Sequence, residues 1–302
     1  MMTACIALAS LAFDWIAGEP RRFHPLAGFG RMAAWVEAAL YGPARWRGAL
    51  AVAALVAPVS VLAAWLAAQP GIIGMAAAFA ALNLAVGHRS LHDHAAAVAE
   101  ALRRGDGAAA RLHASHMVSR DRDALDPAGA TTESVLENGN DAVFGALLWF
   151  AVAGAGGAVA YRLANTLDAM WGYRNVRYHA FGWAAARLDD ALNWAPARLT
   201  ALTYAALGHT RAALGCWRGQ APAWKSPNAG AVMAAGAGAL GVSLGGPARY
   251  DGEWHARSPL GCGPAPVGAD IGRALALVRH GVLLWLGVLL LAVLVRWGIA
   301  HA

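Results

Sequence analysis

GALAVAALVAPVSVLAAWLAAQPGIIGMAAAFAALNLAVG, residues 48–87, is a run of 40 positions without a charged side chain. Arg47 and His88 bound it. Near its middle, Gln69-Pro70-Gly71 is a turn signal. Each flanking arm has about 20 residues, the length a helix needs to cross the hydrocarbon of a bilayer. The stretch predicts a helical hairpin whose ends return to one side of a membrane. It sets the fold class: an all-α, polytopic integral membrane protein.

Composition agrees. Of 302 residues, 58% are hydrophobic and 14% charged, against about 25% charged in a soluble domain. Mean hydropathy is +0.43. Formal net charge is +6, from 23 Arg and a single Lys, Lys225, against 18 acids. That balance suits a lipid bilayer with anionic head groups, or phosphorylated or carboxylated small molecules. The arginines are spread through apolar segments without a dense basic run, which argues against nucleic acid. Cys5, Cys216 and Cys262 form neither a CxxC pair nor an even-numbered framework, so structural disulfides and thiolate zinc are not expected. The N-terminal apolar run lacks a basic n-region and meets Asp14 early, which predicts an uncleaved membrane segment.

Working outward, membrane segments are expected at 1–17, 48–69, 71–87, 142–161 and 281–297 of a single domain spanning 1–302. Two weakly apolar stretches, 199–215 and 226–248, extend the set. Polar regions at 88–141, 162–198 and 216–280 are left for chemistry, with 249–270 read as irregular loop. Arg21, Arg22, Arg31, Arg45 and Arg47 argue that 18–47 is cytoplasmic. The hairpin then returns 88–141 to the cytoplasm. A simple span at 142–161 would put the arginine-bearing 162–198 outside. A re-entrant 142–161, or polar helices in a cavity at membrane depth, removes the conflict.

Several polar constellations interrupt the apolar background. In FGWAAARLDDALNWAPARLTAL, 181–202, Arg187, Asp189, Asp190 and Asn193 fall on one helical arc opposite Leu188 and Leu192. In TTESVLENGND, 131–141, Glu133, Glu137 and Asp141 stand at i, i+4 and i+8. Their repulsion would be offset by a hard cation such as Mg²⁺; the plain alternative is a solvated acidic face. In VSRDRDALDP, 118–127, Arg120 suits a bidentate clamp on phosphate or carboxylate, or a surface pair in a capped loop. In YRLANTLDAMWGYRNVRY, 161–178, Tyr161, Asn165 and Asp168 share a face, followed by Arg174, Asn175 and Arg177. Such groups need partners when buried, and polar glue between helices would supply them. WKSPNAG, 224–230, sets Lys225 and Asn228 at the start of a glycine-rich helix, suited to a phosphate or to a membrane interface. His24 is a candidate base or ligand. His88, His92 and His94 invite a metal reading, but no Cys or carboxylate cluster joins them at zinc spacing. No P-loop, dinucleotide fingerprint, GxSxG or HExxH is present, so any use of ATP runs through another fold.

Taken in order, DWIAGEPRRFHPLAGFGR, VSRD, TTESVLENGND, NTLDAMWGYRN, FGWAAARLDDALNWAPARLTA, SPNAG and LGGPARYDGEWHARSPLG resemble the cobalamin-biosynthesis CobD/CbiB family from about residue 14 to residue 261. Ser119 replaces the family's Gly in VGRD, GALLW at 145–149 lacks the Pro of APLFW, and Ala169-Met170 replaces Ser-Met. The acid and amide positions are intact. The resemblance implies an inner-membrane amide ligase using ATP and Mg²⁺, with its active site facing the cytoplasm. Its substrates would be adenosylcobyric acid and (R)-1-aminopropan-2-ol or its O-phosphate. Other corrinoid-pathway enzymes are possible partners. On that basis Asp189, Asp190, Arg187, Asn193 and Asn165 are expected to be catalytic. Arg120, Lys225, Asn228 and Asp168 would contact nucleotide or phosphate, and Glu133, Glu137 and Asp141 would hold Mg²⁺. The competing class is a corrinoid transporter or sensory relative, in which the same polar groups line a path.

Overall fold

The computed structural model describes residues 2–18, 25–173 and 175–301. Glu19, Arg21, Arg22, His24 and Arg174 lie outside the described residues. In chain order the helices are α1 (Met2–Ala17), α2 (Pro25–Leu40), α3 (Arg45–Ala67), α4 (Gly71–Ala85), α5 (His88–Arg103), α6 (Gly107–Ala114) and α7 (Pro127–Gly139). They continue as α8 (Gly145–Trp171), α9 (Tyr178–Phe181), α10 (Trp183–Leu207), α11 (Thr210–Gln220), α12 (Pro227–Leu240) and α13 (Gly268–His301). Among the described residues the fold is all-α apart from four short strands, β1 (Ser243–Gly245), β2 (Ala248–Tyr250), β3 (Glu253–His255) and β4 (Pro259–Gly261). The chain forms two compact units. One holds Met1–His88, Asp141–Asn193 and Val288–Ala302; the other holds Arg89–Asn140 and Trp194–Gly287.

In the first unit the 48–87 run is the expected hairpin, α3 and α4, reversing at Gly71 with φ +68°. α3 has 23 residues, about 34 Å of helix at 1.5 Å per residue. It buries a narrow stripe, Gly48, Ala51, Val52, Leu55 and Val56. α4 likewise buries Gly74, Ala78, Ala81, Leu82 and Ala85. Small residues at helical spacing let backbones approach where lipid offers no hydrophobic drive between helices. The other faces, with Trp46, Val61, Trp65, Ile72 and Ile73, are exposed and apolar, which only lipid covers cheaply. α13 shows the same pattern from Leu283 to Ile299. It starts at Gly268, well before the expected 281, because Asp270 accepts from the Val267 N–H and fixes the first turn.

Among the described residues, four helical runs are long and apolar enough to cross a membrane: Arg45–Ala67, Gly71–Arg103, Pro127–Trp171 and Gly268–Trp297. The third is not one straight rod. Ala153 and Gly154 leave helical geometry inside α8, Gly154 at φ +62°, ψ −151°. A Cβ on Gly157 would lie 2.6 Å from the Trp149 carbonyl oxygen, and one on Gly145 2.1 Å from the Tyr161 hydroxyl. In a continuous helix residues 145 and 161 would stand about 24 Å apart. The chain therefore doubles back at Gly154, and the arms 145–152 and 155–171 lie side by side. The doubling back satisfies the re-entrant reading of 142–161. Five residues before α8, Asn140–Phe144, form a π-turn.

α1 is apolar but has only 16 residues, about 24 Å. The weakly apolar stretches form shorter helices. Residues 199–215 are divided at Gly208-His209 between α10 and α11. α12 has 14 residues, about 21 Å, and every residue from Gly230 to Leu240 is buried. Its small residues serve packing inside the second unit, against α7 and α11.

Residues 243–261, which overlap the end of the 226–248 stretch and the expected loop at 249–270, are two nested hairpins. β2 pairs with β3 around Asp251-Gly252, at φ +50° and +84°, the positive φ values of a tight primed turn. β1 pairs with β4 outside it, Ser243 opposite Gly261. Gln220 clasps this arm to α11, donating to the Gly261 carbonyl at 2.9 Å and accepting its N–H at 2.6 Å. Cys216 and Cys262 meet beside the clasp as free thiols.

Gly154 occupies a backbone region open essentially to glycine alone, where another residue costs about 1–3 kcal/mol. Gly154→Ala is expected to lower thermal stability in detergent by that amount. Gly215→Ala, in a helix with open space around its Cα, is expected to be neutral or stabilising. Equal melting temperatures for both variants would contradict the reversal.

Candidate functional site

Three clusters of buried polar groups carry most of the sequence motifs. The first, in the second unit, centres on Glu133 of α7. Its side chain is 6% exposed. Arg257 grips both carboxylate oxygens, Nη1 to Oε1 at 2.7 Å and Nη2 to Oε2 at 2.9 Å. Arg120 Nη2 reaches Oε1 at 2.5 Å, and the Gly245 N–H approaches Oε2 at 3.4 Å. Arg257 also donates to the Gly246 carbonyl and the Tyr250 hydroxyl, and its guanidinium stacks over Trp224. Next to Arg120 in sequence, Asp121 accepts from Arg249 Nε at 2.7 Å and from the Gly252 N–H at 2.9 Å. The Arg249 guanidinium holds the Asp121 carboxyl below its usual range. So the nested hairpins exist to bring two arginines onto the VSRD and TTES segments.

The second cluster lies in the first unit, where α10 meets the outgoing arm of α8. Asp189 Oδ1 accepts from Asn165 Nδ2 at 3.2 Å and from Asn193 Nδ2 at 3.0 Å. Asn193 Oδ1 accepts from the Tyr161 hydroxyl at 2.8 Å. Trp149 on the incoming arm donates to the Leu192 carbonyl, so both arms of the reversal hold α10. Asp189 has amide partners and no guanidinium. Burial pushes its carboxyl above the ordinary range, the two amide hydrogen bonds oppose this, and neighbouring Asp190 adds to it.

The third cluster, also in the first unit, surrounds Glu37 of α2. Trp171 Nε1 donates to it at 3.0 Å, Arg177 Nη2 at 2.7 Å and the Tyr178 hydroxyl at 3.4 Å. It ties the end of α8 and the start of α9 to α2.

The expected site residues distribute unevenly. Asn165, Asp189 and Asn193 come together, and Asp190 and Asp168 are half-buried on the same two helices. Arg187, on the same helix, is exposed. Lys225 is exposed ahead of α12, whose first turn is capped by Ser226. Asn228 is buried and takes a hydrogen bond from Arg198. Glu133 is committed to arginines, and a π-turn at Asn140–Phe144 interrupts the regular helical period at Asp141. Among the described residues no group of three or more His, Cys, Asp or Glu is placed to hold a metal ion, His88, His92 and His94 included. Sequence reasoning missed Glu37, Arg249, Tyr250 and Arg257. A lone acid in the apolar run MAAWVEAAL was the available signal for Glu37, since it demands a buried partner.

A family model described as CobD/Cbib protein matches residues 7–278. The chain belongs to the CobD/Cbib family. A cobalamin biosynthesis protein CobD of Chromobacterium violaceum is 57% identical, covering 100% of both chains. One from Stutzerimonas stutzeri is 58% identical over 94% of this chain and 95% of its own. One from Mycobacterium tuberculosis is 43% identical over 90% of each. No solved structure matches the chain. In this CobD/Cbib chain, six of the quoted motif segments contribute to the Glu133 and Asp189 clusters or flank them directly.

Glu37→Ala would strand the fully buried Trp171 N–H, at about 1–3 kcal/mol. Arg177→Ala removes a mostly exposed partner and should cost under about 1 kcal/mol. Melting in detergent is expected to rank Glu37→Ala clearly below Arg177→Ala.

Proposed function

We propose that this chain acts in cobalamin biosynthesis as an ATP-dependent acid–amine ligase. It joins the propionate carboxylate of adenosylcobyric acid to (R)-1-aminopropan-2-ol or its O-phosphate. Family membership and the near-complete coverage of the relatives support the pathway. The observation that carries the chemistry is Asp189. An ammonium must shed a proton before its nitrogen attacks an activated carboxyl group. A base for that step works best with a pKa moved toward neutrality. Asp189 is desolvated, has its Oδ1 fixed by two amides, and has no hydrogen bond to Oδ2 among the described residues. Oδ2 is then the proton acceptor, with Asn165 and Asn193 setting its direction and Asp190 raising its basicity.

The donor set fits phosphate better than a protein-built metal cage. Three gathered carboxylates are lacking among the described residues, but Mg²⁺ at nucleotide sites needs only one or two, the rest coming from phosphate and water. Glu137 and Asp141 are each proposed for such a contact, as separate residues of the two units; Glu133, spent on two guanidiniums, is not. ATP with Mg²⁺, when bound, supplies the activation of the carboxylate. In the second unit, Arg120 and Lys225 would neutralise its phosphates and Asn228 would contact the nucleotide; in the first unit, Asp168 as a nucleotide contact and Arg187 as an attractor of a substrate carboxylate are separate proposals.

We place the protein in the cytoplasmic membrane with its polar segments toward the cytoplasm. Arg31, Arg45 and Arg47 near the first spans support this by the positive-inside bias. The reversal at Gly154 supports it too, since residues after 161 then return to the side that 141 left.

Purified protein in lipid nanodiscs, given ATP, Mg²⁺, adenosylcobyric acid and the amine, is expected to form the amide, seen by mass spectrometry, and to consume ATP only when both substrates are present. Movement of unmodified corrinoid across a vesicle wall without ligation would favour a transporter. Asp189→Asn should cut turnover by about 10²–10⁴-fold. In the wild type the rate should fall as pH drops through the raised Asp189 pKa, because the protonated carboxyl accepts nothing. The amide bonds lower that pKa, so Asn165→Ala should move the acid limb to higher pH. An acid limb that stays in place would remove Asp189 from the role.

A further inference from the structure

Arg257 is the more fully occupied of the two guanidiniums on Glu133. It donates to both oxygens of Glu133, to the Gly246 carbonyl and to Tyr250, and lies over Trp224. Arg120 gives Glu133 a single hydrogen bond, through Nη2. Its Nε and Nη1 donate to nothing among the described residues, and neither is sealed from solvent. The triad carries two positive charges and one negative, with side chains 14%, 11% and 6% exposed for Arg120, Arg257 and Glu133. A surplus cation this poorly hydrated calls for an anion. A planar fork with free N–H groups favours an oxyanion that accepts several bonds at once.

We propose that Arg257, acting through Glu133, is a positioning residue that aims the free edge of Arg120 at a phosphate group of a substrate. Glu133 is a bridge in this arrangement: its Oε1 accepts from both arginines and locks the rotamer of Arg120. The phosphate belongs either to a nucleoside triphosphate or to a short amino-alcohol O-phosphate. The inference rests on the ligase reading for the identity of these substrates, but not for the binding of phosphate itself.

The test measures dissociation constants on the full chain in nanodiscs by calorimetry, using Mg-free ATP, an amino-alcohol O-phosphate and inorganic phosphate as separate probes. Arg120→Ala should weaken the phosphate it serves by about 10- to 100-fold, the span of one or two charge-assisted bonds. Arg257→Lys keeps the charge and loses the two-pronged grip, and should weaken the same probe by about 10-fold. Glu133→Gln separates positioning from charge. Removing a negative charge should tighten phosphate if only electrostatics acts, and should weaken it if Glu133 aims Arg120. Melting curves of all three variants confirm the fold, and Arg120→Ala, which breaks one bond, stands in if Arg257→Lys does not fold. Weakening confined to ATP assigns the nucleotide; weakening confined to the amino-alcohol phosphate assigns the amine. Unchanged or tighter binding of every probe in folded Arg257→Lys and Glu133→Gln overturns the proposal. Phosphate binding that responds as expected in a protein without ligation would sink the ligase reading and leave this one standing.

Discussion

A carboxylate taken out of water costs several kcal/mol unless its partners replace the lost hydration. That constraint organises this chain: among the described residues few acids are buried or half-buried, and three of them have different partners. Glu37 receives an indole, a phenol and a half-solvated guanidinium. Glu133 receives two guanidiniums. Asp189 receives two carboxamides. Guanidinium partners favour the charged form and lock it. Carboxamides satisfy hydrogen bonds without supplying charge, so burial is left uncompensated and the proton affinity rises. The first kind of site holds elements together; in the second, burial raises the Asp189 carboxyl above its ordinary range while the two amides oppose it.

Position in the fold follows from a second constraint, that backbone groups at membrane depth must be satisfied internally. Small residues on α3, α4 and α8 let the helices pack closely, with Gly156 of α8 set against Ala64 and the Ser60 carbonyl of α3. The one interruption, at Ala153-Gly154, comes where the chain reverses and where Ala151, Val152 and Ala153 are exposed. A non-helical, exposed turn belongs at a water or head-group interface. By reversing there, α8 presents Trp149 from one arm and Tyr161 and Asn165 from the other to the same stretch of α10. A straight helix would hold Trp149 and Tyr161 about 18 Å apart along its axis, too far for both to touch residues 192 and 193.

How much of this was legible depends on the range of the interaction that decides it. The α3–α4 hairpin was plain, because an uncharged run with a central turn is a local signal. The reversal of 142–161 was inferred from a bookkeeping of charge across the membrane, while its turn residue was hidden in the string AVAGAGGAV, where four glycine and alanine steps look alike. The acid–amide cluster was half legible: helical phase placed Asp189 with Asn193, and Asn165 with Asp168, but only tertiary packing joined the two faces. The carboxylate stripe at 133, 137 and 141 assumed an unbroken 3.6 period, which the π-turn at Asn140–Phe144 defeats. The nested hairpins were missed because strands of three residues are too short for alternation to register, although Asp251-Gly252 carried a turn signal. Arg257 could not be found from its surroundings in sequence, since its partner is 124 positions away.

The abundance of arginine makes the final distinction a matter of spent donors. Each guanidinium has five N–H groups, and the number already engaged by protein sets what it can offer to a ligand. Arg257 is engaged on both edges and one face. Arg249 is tied to Asp121, and Arg273 to Asp270 and the Leu240 carbonyl. Arg177 divides itself between Glu37 and the faces of Tyr41 and Tyr178. Arg120 alone in the Glu133 cluster is both fixed in place and largely unspent. Fixation without saturation is what a receptor for an anion requires: an exposed arginine such as Arg187 would lose side-chain entropy on binding, and a saturated one would have to break bonds it already makes. The chain therefore uses one acid to hold two bases, and the asymmetry between those bases gives the cluster a direction.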